Sequence, residues 1–153
     1  MKHLILTLLL APVFGAIAAA PARKMTFERE GVIFVADVDG KGLKKIGSGD
    51  WPDMSPDGSR IAVNTNEPSD KTPVRYIGVM DAATGKTTVF KDIPSDNCAA
   101  PRWSPDGKSI AFHIYSDNDW HIGLVSADGS GFRYLLKTAP KTSTMNFACW
   151  AAD

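Results

Sequence analysis

The feature that most constrains this chain is a segment that occurs twice and then begins a third time. Residues 51–63 read WPDMSPDGSRIAV, and residues 100–112 read APRWSPDGKSIAF. The two Ser-Pro-Asp-Gly cores, Ser55–Gly58 and Ser104–Gly107, lie 49 residues apart. A third copy opens at 146–153 (NFACWAAD), with Trp150 in the place of Trp103, and there the sequence stops. Self-similarity at about 40–50 residues means that one supersecondary unit is being stacked against copies of itself.

The unit is built of short β runs and turns. Val32–Asp37 reads as a strand, Asp39–Gly42 as a turn and Leu43–Ile46 as the returning strand. The hairpin recurs as Tyr76–Asp81 with Thr87–Phe90, and as His121–Ser126 with Phe132–Leu136. Asp-Gly and Thr-Gly between β runs favour hairpins, because Gly takes positive φ without steric cost. The other half of each unit is the Ser-Pro-Asp-Gly hairpin. Pro56 and Pro105 preset φ, Asp57 and Asp106 bond the local backbone, and Gly58 and Gly107 take the left-handed position. Ser55 and Ser104 open these turns, and the strands Arg60–Asn64 and Ser109–Ile114 follow them. Each unit is therefore four antiparallel strands, a to d. The a–b turn is the Ser-Pro-Asp-Gly hairpin, and d→a connections run through Gly47–Asp50, Ile93–Ala99 and Thr138–Met145. Four-stranded antiparallel units at this period predict an all-β fold, a partial β-propeller. Two complete blades are expected, with part-blades at each end: 31–46, 51–90, 100–137 and 146–153.

The start of the chain reads differently. Lys2 and His3 precede an apolar run from Leu4 to about Ala19, closed by small residues. This is the secretory leader pattern. It predicts a signal peptide over 1–22 and a propeller segment over 23–153, with cleavage leaving Ala19 or Arg23 first. The run of about 16 residues is shorter than the roughly 20 a spanning helix needs. A periplasmic or secreted protein is expected, with no stable membrane span. In such a compartment Cys98 and Cys149 are either paired or two separate thiols. Lys and Arg together number 17, as do Asp and Glu. That balance gives no electrostatic footprint for nucleic acid.

The motif Trp103-Ser104-Pro105-Asp106-Gly107-Lys108-Ser109-Ile110-Ala111-Phe112 resembles the TolB-like propeller family, whose repeat is called WD40-like or PD40. Its copy Met54–Val63 and the strand and turn Phe34–Gly40 share the likeness, which covers about residues 31–153. The resemblance implies an exported binding scaffold without catalysis, engaging a protein or small ligand. The alternative it implies is the gating propeller of a secreted prolyl-oligopeptidase-type serine peptidase. TolB carries an α/β domain before its propeller, whereas here the repeats begin within about ten residues of the leader. Six blades at about 45–50 residues each need about 270–300 residues, so the sequence reads as a fragment.

No G-x-S-x-G elbow is present, so no catalytic residue is assigned. Asp117 and Asp119 are hard oxygen ligands, yet they lie in a polar b–c turn that lacks the Gly and distal Glu of a calcium loop. His113 and His121 read as strand residues without a third ligand. No metal or cofactor is expected. Trp103 and Trp150 read as packing between blades. Lys41, Lys44 and Lys45 form a solvated outer edge. Binding is expected on the d→a loops at the channel mouth, because loops on a rigid scaffold carry function. That placement selects Ser48, Asp50, Trp51, Ser95, Asp96, Asn97, Arg102 and Asn146.

Overall fold

The structure, a computed structural model, describes residues 23–69, 74–136 and 148–151. The leader, the whole of the last d→a connection and Asn146 lie outside them. The described residues form eleven strands and no helix. The first sheet contains β1 (Lys24–Arg29), β2 (Val32–Asp37) and β3 (Lys44–Ser48). The second contains β4 (Asp50–Met54), β5 (Arg60–Glu67), β6 (Val74–Asp81) and β7 (Thr87–Val89). The third contains β8 (Cys98–Trp103), β9 (Ser109–Ser116), β10 (Asp119–Ser126) and β11 (Arg133–Leu136). Within each sheet the strands pair antiparallel in chain order, so the second and third sheets are the two complete four-stranded blades.

The first sheet gains a strand that the sequence reading left out. β1 pairs along its whole length with β2, from Lys24↔Asp37 to Arg29↔Val32. The register makes β1 a strand b: Met25 opposes Ala36 as Ile61 opposes Met80. Its sequence, KMTFER, alternates apolar and polar residues but follows no Ser-Pro-Asp-Gly turn. That missing turn is why it was not read as a strand.

Two clusters hold the sheets together. Ile33 and Val35 of the first sheet meet Ile61, Val63 and Met80 of the second. Ala62, Ile77 and Val79 on the second sheet's other face meet Trp103, Ile110, Phe112 and Ile114 of the third. Alternate residues of β5 thus serve opposite neighbours, as the two-residue period of a strand requires. Ile61, Ala62, Val63, Ile110 and Phe112 are fully buried, at 0–3% exposure with Ala111 between them. A fully buried Ile or Phe contributes about 1.5–3 kcal/mol.

Strand a carries the same irregularity in both blades. The ladder shifts register between Asp50 and Asp53, and again between Ala99 and Arg102. Trp51 has φ 49° and Ala100 has φ 51°, and a proline follows each. Proline disfavours the right-handed helical region for its predecessor, which leaves few ways to make a bulge.

Candidate binding face

Strands run up and down within a blade, so connections alternate between two ends. The a–b and c–d turns share one end, and the b–c and d→a connections share the other. The sequence reading selected residues for the second end, and most of them lie there. Ser48 ends β3, Asp50 and Trp51 begin β4, and Ser95, Asp96 and Asn97 lead into β8. The first connection is tighter than expected: Gly49 alone separates β3 from β4, and its N–H donates to Gly31 O at 3.0 Å. The second is also shorter, because Cys98 and Ala99 already belong to β8.

Arg102 is a correction. It precedes Trp103 directly and opposes Ala111, which places it beside the a–b turn at the opposite end. The cause is strand length. Strand a runs six residues from Cys98 to Trp103 and carries Arg102 across the blade.

Ser95, Asp96 and Asn97 sit in a network that crosses from the second sheet to the third. Arg75 N–H donates to Asp96 O at 2.7 Å, and its Nε donates to Asn97 Oδ1 at 3.1 Å. Tyr115 N–H donates to Asn97 O at 2.9 Å, and Ser95 Oγ–H donates to Tyr115 O at 2.7 Å. The Arg75 guanidinium lies 5.8 Å from the Trp120 ring, which meets Tyr115 edge-on at 5.3 Å. Beside them Lys91 Nζ donates to Glu67 at 2.7 Å and lies 5.0 Å from the Tyr76 ring. That hydrogen bond, with the Glu67 charge behind it, raises the Lys91 pKa above its ordinary value. Asn66 donates to Asp50 at the same end. The outcome is a fixed backbone with Tyr115, Asp96 and Trp51 exposed on it.

Sequence reasoning missed Arg75, Tyr115 and Trp120. The signal for Tyr115 and Trp120 was the two-residue turn Asp117-Asn118, with φ 53° and 61°. It fixes the register so that Tyr115 opposes Trp120 and both lie one pair inside the turn's flanking Ser116–Asp119 pair.

The opposite end is built from side chains that cap their own turns. Ser55 Oγ–H donates to Asp57 Oδ1 at 2.6 Å, and Arg60 N–H donates back to Ser55 Oγ at 2.9 Å. Ser104 Oγ–H to Asp106 and Ser109 N–H to Ser104 Oγ repeat both bonds at the same lengths. Gly58 and Gly107 take φ 71° and 68°. The Ser55 hydroxyl, with help from Ser59, lowers the Asp57 pKa to about 2. Asp57 and Asp106 therefore act inside the turns, as their sequence position implied. A cleft of about 830 Å³ at this end is lined by Arg23, Lys24, Met54, Asp57, Asp81 and Ala83 among others.

Between the ends lie the residues that join the blades. Asn64, 1% exposed, donates through Nδ2 to Cys98 O at 2.6 Å and accepts from Ala100 N–H at 3.0 Å. Asp53 accepts from Trp103 N–H at 2.6 Å, and burial raises its pKa above the usual carboxylate value. Trp103 packs under the Arg60 guanidinium at 4.7 Å. Trp150 Nε1–H donates to Arg102 O at 3.1 Å, so the third copy's tryptophan also meets the inner strand before it. Cys98 and Cys149 are unpaired, one buried and one exposed, and burial pushes the Cys98 thiol up to about 12. His113 and His121 are buried strand residues. His121 Nε2 lies 3.1 Å from Ser116 O. Among the described residues no group of three His, Cys, Asp or Glu side chains could hold a metal. Among them, too, no helix is long and apolar enough to cross a membrane.

No protein-family model matches the chain. A 37-residue stretch is 46% identical to the Tol-Pal system protein TolB of Syntrophus aciditrophicus, covering 24% of this chain and 8% of that protein. The fold superposes on TolB from Acinetobacter baumannii with a TM-score of 0.51 at 27% identity, over 69% of this chain and 26% of that one. It also superposes on the β-propeller domain of the trilobed protease from Pyrococcus furiosus, with a TM-score of 0.53 at 16% identity, over 72% of this chain and 35% of that one. The chain thus spans about a quarter of the TolB structure it resembles. With its repeated turns, four-stranded blades and likeness to two TolB proteins, the chain is a TolB-like β-propeller, described here as two whole blades and a three-stranded sheet.

Proposed function

We propose that this propeller is an exported, non-catalytic scaffold that binds a protein or ligand through its b–c and d→a end. The observation that carries the reading is the network of Arg75, Asn97, Tyr115 and Trp120. It commits half-buried polar groups to fixing a surface whose outer residues, Asp96 and Tyr115, stay exposed. A rigid backbone with an aromatic and a carboxylate on it lowers the ordering cost of binding. The channel-mouth placement of the site belongs to this proposal.

Photo-crosslinking in the cell envelope tests it. A photoreactive phenylalanine at Asp96 or Asn118 is expected to give a discrete adduct, and one at Ser130, in a c–d turn, none. Adducts from Ser130 alone would overturn the choice of face. Export is supported by the leader pattern. Intact mass of the processed protein is expected to show Ala19 or Arg23 first, and an unprocessed cytosolic chain would refute export. The gating-propeller alternative predicts a different adduct at Asp96. The captured polypeptide would then be a hydrolase domain that labels with a fluorophosphonate.

A further inference from the structure

Trp51 is a tryptophan that the packing of its blade does not use. In the third sheet Trp103 ends strand a and packs between sheets; in the second sheet Met54 takes that place, against Ile33, Val35 and Ile61. Trp51 stands instead at the bulge, where the third sheet has Ala100 with the same backbone, φ 49° against 51°, each before a proline. Ala100 shows that the bulge needs no large side chain. It is 4% exposed, whereas Trp51 is 44% exposed. A bulky residue at positive φ is an outlier, and here it holds an indole in solvent.

The backbone under that indole is fixed. Gly49 N–H donates to Gly31 O at 3.0 Å, Asn66 donates to Asp50, and Asp50 opposes Asn64 in the ladder. Asn64 in turn holds Cys98 O and Ala100 N–H, so the start of β8, with Ser95–Asn97 before it, lies beside the start of β4. An exposed indole on an ordered backbone has the character of an interface hot spot, because little further ordering is needed to bury it.

The chemistry of the molecule's other rings points to a cation. Trp103 lies under the Arg60 guanidinium at 4.7 Å, Trp120 meets that of Arg75 at 5.8 Å, and Tyr76 meets Lys91 Nζ at 5.0 Å. Among the described residues no cation stands over Trp51. Arg75 is held by Asn97 and Lys91 by Glu67. At the same end Asp92 and Asp96 are exposed and, among the described residues, make no ion pair. An aromatic face close to such carboxylates attracts a guanidinium, which stacks flat on the ring.

Given binding at the b–c and d→a end, on which this rests, we propose that Trp51 is the anchor of that face and takes an arginine from a basic segment of a partner protein. The indole covers the incoming guanidinium as Trp103 covers Arg60. Asp96 draws the segment in, and such rim charges set the approach rate and its salt dependence more than the affinity.

The test uses the full processed chain with fluorotryptophan in place of tryptophan, the Trp51 resonance being assigned from Trp51→Phe. Tetra-arginine and tetra-glutamate peptides are the probes. Tetra-arginine is expected to move the Trp51 resonance, and to do so more weakly as salt rises from about 0.05 to 0.5 M. Tetra-glutamate is expected to leave it in place. Trp51→Ala is expected to weaken tetra-arginine binding by about fivefold, with the melting temperature unchanged, since Ala100 fills the same bulge. Trp51→Phe keeps a ring and is expected to retain part of the binding, and Asp96→Asn to weaken it by about twofold. An unmoved Trp51 resonance, an equal shift with tetra-glutamate, or undiminished tetra-arginine binding by Trp51→Ala would each overturn the anchor. Crosslinked adducts at Asn118 report on the end alone. Adducts there from a chain whose Trp51 ignores arginine would remove the anchor and leave the binding end in place.

Discussion

The two ends of the blades are held by different kinds of bond. At the a–b and c–d end most of the described side-chain bonds are local, the exceptions being Lys44 to Ala83 O and Arg60 to Ala127 O, which cross between sheets. Ser55 to Asp57, Ser104 to Asp106, Thr84 to Asp81 and Ser130 to Asp128 span two or three residues each. Between the ends and at the b–c and d→a end they reach further along the chain: Asn64 to Cys98 across 34 residues, Arg75 to Asn97 across 22, and Ser95 to Tyr115 across 20. A local turn is specified by its own few residues, so it repeats unchanged. A bond between sheets depends on both partners, so this end can vary from blade to blade. The b–c turns show it: Glu30-Gly31 in the first sheet and Asp117-Asn118 in the third share positive φ but no residues.

The contrast is broken most severely where a local turn touches another sheet. Gly85 has φ 76°, and a β-carbon there would run into the Ile46 carbonyl oxygen of the first sheet. Gly107 has a similar φ of 68°, but a β-carbon there meets only Pro56, at 3.6 Å. Gly85→Val combines backbone strain with a clash and is expected to cost about 3–5 kcal/mol. Gly107→Val carries the strain alone and is expected to cost about 1–3 kcal/mol. Chemical denaturation compares them. Equal losses would mean that the turn touching Ile46 is as self-contained as the other.

Asn64→Ala comes next. It removes the side chain that satisfies both Cys98 O and Ala100 N–H at the bulge of β8, leaving two buried backbone groups unpaired. The expected cost is about 3 kcal/mol. Hydrogen exchange is expected to show the loss concentrated in β8, with β9 and β10 protected for longer. Uniform loss across the third sheet would show that Asn64 does not join the sheets in the way described.

Two aspartates four residues apart sharpen the comparison with opposite signs. The Ser55 hydroxyl and the Ser59 groups hold the Asp57 pKa at about 2, below the ordinary 3.8. Its contribution to stability is therefore present above 3.8 and is lost as pH falls toward 2. Asp53 lies in the seam, and burial raises its pKa. Its protonated form favours folding, so its contribution is full below 3.8 and fades as pH rises through the folded value. Asp53→Asn keeps an acceptor for Trp103 N–H and removes the charge. Thermal melts between pH 3.5 and 7 are expected to show less decline with rising pH in this variant than in the natural chain. A steeper decline would assign the pH dependence elsewhere.

These contrasts explain how much was legible in the residues. The turns were, because Ser-Pro-Asp-Gly carries its whole bond pattern within itself; Ser55 and Ser104 do what their neighbours dictate. Strand c was legible for the same reason: Val32–Asp37 matches β2 residue for residue. β1 was not, since KMTFER has no turn before it and its partner, β2, sits across a two-residue bend that nothing in the motif marks. The candidate face was half legible. Blade order put Ser95, Asp96 and Asn97 at the end of the blades where the connection into β8 lies. Arg75 and Trp120 are brought to them only by the stacking of two sheets, which no local pattern encodes. Arg102 was misplaced because the bulge at Ala99–Arg102 lengthens strand a beyond what alternation predicts.

The smallest effect on stability belongs to the surface of the variable end, and there the comparison predicts a separation. Asp96 is exposed, and its described bond to Arg75 runs through the backbone carbonyl, which a substitution leaves in place. Asp96→Ala is therefore expected to change stability by less than about 0.5 kcal/mol. If this end binds and the other end only folds, the same substitution weakens capture by a crosslinker placed at Asn118. Ser130→Ala, at the turn end, loses the hydroxyl bond to Asp128 and keeps the backbone one, yet leaves capture untouched. Parallel melts and crosslinking yields measure both. A variant that loses capture only in step with its melting temperature would tie the two ends to one role, that of holding the blades, and would remove the ground for placing binding at either.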